Sequence, residues 1–246
     1  MLLPAAAFLW RTTIFYMRKS WWKILGVLLL VYTFIAGFLI DVPRLPQLQE
    51  TIRNLFFHVC MWFGMMILFT ISFVHAIRYL RSNKTVHDIA SRQYVGVGIL
   101  FGLLGYATGV IWMSYTWADP NNPAYASFGS IAREPKLIGA AIALLVYAAY
   151  LVLRDSIQDI DKKARISAVY NIFAFAMLFP SIWIIPRLLP SLHPGREGNP
   201  ALNFNDIDNN MRMVFYPAVI GWTLIGVWIA TLKIRMKIIN EQRIMQ

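Results

Sequence analysis

The sequence predicts an all-α integral membrane protein: a bundle of six transmembrane helices with both termini on the cytoplasmic side. Three observations carry this. Apolar residues make up 58% of the 246 and charged residues only 14%, with a mean hydropathy of +0.54, a composition that one soluble globule would not keep in solution. Six apolar runs each come near the roughly 20 residues that a helix needs to cross about 30 Å of hydrocarbon. Lys and Arg, finally, gather in alternate connections between those runs. The runs must be helices because a bilayer core offers no water to backbone groups, and none shows the period of two that a lipid-facing barrel strand needs.

Residues 1–23 read as a cytoplasmic or interfacial leader, apolar at first and then basic through MRKSWWK. No basic region precedes the first apolar patch, so a cleaved signal peptide is not expected, and Met17 is an alternative start. The membrane domain spans 24–232, with runs at 24–40, 55–77, 95–113, 137–153, 166–185 and 214–232. Gly102, Gly105, Gly109, Pro180 and Pro217 inside these runs are tolerable where membrane helices pack closely. A basic cytoplasmic tail, 233–246, closes the chain.

Orientation follows from the basic residues. Four of them mark the leader (Arg11, Arg18, Lys19, Lys23), and four mark each of the second-to-third connection (Arg78, Arg81, Lys84, Arg92), the fourth-to-fifth (Arg154, Lys162, Lys163, Arg165) and the tail (Lys233, Arg235, Lys237, Arg243). The connections 41–54, 114–136 and 186–213 carry fewer bases for their length and are assigned to the extracytoplasmic face. Because the +11 charge lies in these short bands, it reads as a topology signal and not as a nucleic-acid surface; the surroundings are lipid.

Several kinds of chemistry are excluded. Cys60 is the single cysteine, which leaves no disulfide framework or Cys-rich metal centre within the chain. No phosphate loop, GxSxG or HExxH occurs, and the spans carry no ionisable residue at mid-depth of the kind an ion-coupled transporter shows. Asp155, Asp159 and Asp161 alternate with bases and read as a solvated connection.

What remains gathers on the outer face. His58 opens the second span and His193 sits in the third outer loop, whereas His75 and His87 fall on the cytoplasmic side. The 17 residues between His58 and His75 separate them by about 25 Å along one helix, so those two cannot share a metal. His58 and His193 have two readings, as an interfacial pair with no ligand role or as axial ligands of a haem iron, since neutral imidazoles from separate elements clamp the two faces of a macrocycle. Trp112, Tyr115, Trp117, Tyr125 and Phe128 likewise read either as an aromatic belt at headgroup level or as a haem platform. Arg133 and Lys136 are placed to pair propionates. Met61, Trp62 and Met65 follow His58 on its helical face, chiefly as packing residues.

Five segments stand in a definite order and spacing relative to the six spans: 53–59 (RNLFFHV), 108–117, 134–154 (EPKLIGAAIALLVYAAYLVLR), 191–195 (SLHPG) and 208–212 (DNNMR). In these the chain resembles the haem-handling membrane proteins of cytochrome c biogenesis, within them the family of cytochrome c maturation protein C, or haem exporter protein C. The resemblance implies that His58 and His193 are haem axial ligands and that the central loop is a tryptophan-rich haem-binding segment ending in an acidic residue. Trp112 and Trp117 match its early tryptophans, its adjoining Trp pair is absent, and either Asp119 or Glu134 takes the acidic position.

The implied function is to hold non-covalent, transient b-type haem at the periplasmic face of the bacterial inner membrane and present it to a periplasmic haem chaperone. The implied partners include the subunits of an ABC-type transporter and a small membrane subunit. The chain has no CxxCH attachment motif, and side-chain catalysis has little support. The alternatives are a membrane b-type cytochrome or quinone-linked respiratory subunit, which pairs histidines on two spans, and a small-solute transporter, which shows repeats or broken spans.

Overall fold

A computed structural model describes residues 19–46, 48–117, 129, 132–189, 191, 193 and 207–244. No strand occurs among them, and six helices are long and apolar enough to cross a membrane. In chain order these are α1 (Trp21–Leu39), α2 (Leu55–Ser82), α3 (Thr85–Thr116), α4 (Pro135–Ser156), α5 (Ile160–Phe179) and α6 (Asn209–Ile244). A 3-10 turn, Gln49–Asn54, leads into α2, and α5 continues through a π-helical turn, Pro180–Ile184, into Ile185–Leu188.

α2 and α3 form the central antiparallel pair, joined by Asn83 and Lys84 alone. Asn83 adopts the left-handed conformation, φ 51°, that lets a helix end within one residue. The pair is held in register by glycines. Gly98, Gly102, Gly105 and Gly109 recur on α3 at spacings of four, three and four, and Phe69, Met65, Trp62 and His58 recur on α2 at the same spacings in the opposite direction. Each side chain fills the place where a Cβ would stand: 2.5 Å from Phe69 at Gly98, 2.7 Å from Met65 at Gly102, 3.0 Å from Trp62 at Gly105 and 2.6 Å from His58 at Gly109. Small residues thus bring the two backbones close, the main source of helix association where lipid tails are as apolar as the side chains.

α6 packs on both α2 and α3, and α1 lies on its outer side. Arg53 secures the end of α1 by donating from Nη1 to the carbonyls of Gly37 (2.8 Å) and Ile40 (2.9 Å) while pairing with Glu50 (2.8 Å). α4 and α5 cover the other flank, with Tyr147 of α4 stacked on Phe69 at 3.6 Å. Their crossing is so close that a Cβ on Gly139 would collide with the Ser181 carbonyl oxygen. Glu134 caps α4 ahead of Pro135, and Asp159 caps α5 through the Lys162 N–H at 2.7 Å.

The helices outrun the apolar runs that announce them. α3 begins at Thr85, ten residues before its run, and its 32 residues are about 48 Å long. The expected tail is helical through Ile244, continuous with α6, and its Ile234 and Ile238 are buried in the same core as Ile89 and Ala90 of α3. The polar ends are therefore held by packing beyond the hydrocarbon. Residues 1–18, 245 and 246 lie outside the described residues.

At the His75 end, Asp88 and Arg154 form a buried bidentate pair with both bonds at 2.6 Å. Arg154 is one of the bases that mark the topology, and its carboxylate partner stands 66 positions away in the chain. Deeper in the bundle, buried Asn171 of α5 donates to Ser72 of α2 (2.7 Å) and Ser91 of α3 (2.8 Å).

Candidate functional site

The opposite end of the bundle holds a cavity of about 310 Å³, within the usual size range of small-molecule sites. Its apolar walls include Trp62, Trp112, Trp117 and Trp183, and its polar groups include His58, Lys136, Arg187 and His193. Both histidines singled out from the sequence therefore face one space.

His58 stands in the first turn of α2, only 7% exposed, with its ring seated over Gly109. Its Nδ1 lies 2.9 Å from the Gly105 carbonyl oxygen and 3.2 Å from Thr108 Oγ1. A carbonyl only accepts, so Nδ1 bears the proton and Nε2 keeps an electron pair. Trp62 and Trp112 meet the ring edge-on at 6.2 and 5.8 Å.

His193 lies between α5 and α6. Its backbone N–H donates to Ser191 Oγ at 3.1 Å, and Ser191 donates to Glu134. Lys136 Nζ stands 3.2 Å from His193 Nδ1. Buried Glu134 also accepts the Lys136 backbone N–H at 3.4 Å, so it ties the His193 segment to the start of α4.

The other expected site residues divide. Trp112, Trp117 and Lys136 line the cavity, and Trp112 donates from Nε1 to Thr51 at 3.0 Å. Tyr115 is 76% exposed and borders a separate groove beyond Trp112. Arg133 is exposed and away from the cavity wall, and Glu134 supports the site from behind. Tyr125, Phe128 and Asp119 lie outside the described residues. Of the three residues following His58, Trp62 and Met65 reach the cavity whereas Met61 packs in the core.

Sequence reasoning missed Trp183 and Arg187. They stand one turn apart with the guanidinium 5.3 Å from the indole centroid. Pro180 before this stretch and Pro186 within it were the available signal: the π turn closes through the Ile185 N–H to the Pro180 carbonyl, and such turns are frequent at functional sites.

Among the described residues no group of three or more His, Cys, Asp or Glu side chains converges to hold a metal ion. Two imidazoles in an aromatic cavity with cations at its wall fit a metal that brings its own in-plane ligands and carries acidic edges. His75 and His87 do not form a second such pair. Their Nδ1 atoms meet at 3.1 Å, which leaves no room for a macrocycle between the rings.

A family model described as heme exporter protein C matches residues 5–246. Comparison with curated proteins finds no match.

Proposed function

The chain belongs to the haem exporter protein C family, haem-handling membrane components of cytochrome c maturation, and from that membership we propose that it holds haem at the periplasmic face and presents it to a periplasmic haem chaperone. Six candidate spans and the distribution of Lys and Arg support a reading in which both termini lie on the cytoplasmic side of a bacterial inner membrane. The cavity is then periplasmic.

The observation that carries the reading is the opening of His58 and His193 onto one aromatic cavity. Haem is the cargo, bound non-covalently, with these histidines as axial ligands, Trp112, Trp117 and Trp183 against the macrocycle, and Lys136 and Arg187 for its propionates. Bonds to two imidazoles are exchangeable, which suits a protein that must release what it binds. An ABC-type transporter and a small membrane subunit are the partners in this scheme.

Absorption spectra of the protein purified in detergent with haem, repeated for His58→Ala and His193→Ala, test the assignment. Loss of the bis-imidazole spectrum in each variant is expected. Unchanged spectra in both would remove the ligand assignment, and haem that never passes to an added chaperone would mark a resident cytochrome instead.

A further inference from the structure

The two imidazoles at the cavity are hydrogen-bonded in opposite senses. At His58 the partner of Nδ1 is a carbonyl, which fixes the proton on Nδ1 and leaves the Nε2 electron pair for a ligand. At His193 the partner is an ammonium. Lys136 only donates, so at 3.2 Å it occupies the Nδ1 electron pair and the ring's proton resides on Nε2. While that contact lasts neither nitrogen of His193 has a free electron pair for a metal.

The network that holds Lys136 against His193 is short. Glu134 accepts the Lys136 backbone N–H and the Ser191 hydroxyl, and Ser191 accepts the His193 backbone N–H. Lys136 and Arg187 both line the cavity, so an anionic group that enters is attracted by two cations.

Resting on the reading that haem is held here, we propose that Lys136 is a latch on His193 which a carboxylate of the incoming ligand opens. A carboxylate that takes over the ammonium releases Nδ1. A proton then arrives at Nδ1 and one leaves Nε2, so the ring stays neutral and nothing is oxidised or reduced. His58 is the unconditional ligand, and His193 joins only when the ligand's acidic edge is seated. Removing that edge restores the latch, which gives the site a route to release. Lys136 is a positioning residue in this scheme, selecting for carboxylate-bearing macrocycles.

Two measurements test the latch. In the first, wild-type protein and Lys136→Met each receive haem or haem dimethyl ester, and coordination is read from absorption spectra. The wild type should give a six-coordinate spectrum with haem and a five-coordinate one with the ester; Lys136→Met should give six-coordination with both. A six-coordinate ester complex in the wild type would overturn the proposal.

The second needs neither iron nor a variant. Nitrogen-15 NMR of the histidine-labelled protein without ligand should show the proton on Nδ1 at His58 and on Nε2 at His193. Iron-free protoporphyrin should move the His193 proton to Nδ1, and its dimethyl ester should not. The same tautomer at both residues, or equal responses to the two porphyrins, would refute the latch. If instead haem spectra ignore His58→Ala and His193→Ala, axial ligation fails while the NMR result still reports on the latch.

Discussion

Replacing Gly109 with alanine should damage the site without altering the identity of any group that bears its chemistry. A Cβ there would lie 2.6 Å from His58 Cε1 and 3.2 Å from Nδ1. Restoring an ordinary contact requires the ring to retreat by about 0.9 Å, because carbon atoms settle near 3.5 Å or beyond. A shift of that size stretches the 2.9 Å bond to the Gly105 carbonyl beyond useful length. An unsatisfied buried group costs about 1–3 kcal/mol, and the gain of alanine over glycine inside a helix offsets about 1 kcal/mol. A net loss of up to about 2 kcal/mol is expected by denaturant titration in detergent micelles. Haem affinity should fall about 10–100-fold, the usual effect of disturbing the group that orients a metal-bound histidine. Gly96→Ala is the control, since its Cβ meets only the flexible end of Arg92 at 3.1 Å, and it should be neutral or slightly stabilising. Wild-type haem affinity in Gly109→Ala would refute the claim that the seat of the ring sets its ligation.

Three further outcomes can be measured. Asp88→Asn should cost about 3–5 kcal/mol by leaving Arg154 buried without its carboxylate, whereas Asp88→Leu combined with Arg154→Met should recover most of that loss in the same titration. Gly139→Ala should sharply reduce the yield of folded protein on size-exclusion chromatography, because the new Cβ strikes the Ser181 backbone and not a movable side chain. Arg53→Ala removes charge-assisted bonds to two carbonyls at the end of α1 and should cost about 1–3 kcal/mol, read as faster hydrogen exchange in the last turn of that helix.

The six spans were legible because a bilayer demands length and apolarity, and both are properties of a contiguous run. Helix ends were less so. Thr85 to Tyr94 is polar enough to look like a connection, and it is helical because Ile89 and Ala90 pack against the far end of α6, more than 140 residues away. His58 and His193 were found because imidazole at an interface is chemically conspicuous. The partners of those rings were not, since the Gly105 carbonyl is a backbone group and the Lys136 contact depends on how the segment after α5 returns over α4. Tyr115 shows the limit of counting aromatics: it follows Trp112 by three positions, yet it turns outward while Trp112 turns in. Trp183 and Arg187 were hidden for a related reason, as the π turn changes the helical phase that sequence spacing assumes.

The glycine register between α2 and α3 makes the pair a ruler. His58 is the last tooth of a row whose other members, Trp62, Met65 and Phe69, engage their slots progressively deeper in the bundle. Its height relative to the bilayer is thus dictated by the hydrophobic interior and not by the connections above it. Those connections can change in length and composition without moving the imidazole. A tryptophan-poor central loop is compatible with an undisturbed imidazole for that reason: the seat of His58 and the composition of the outer loops are set by different parts of the chain.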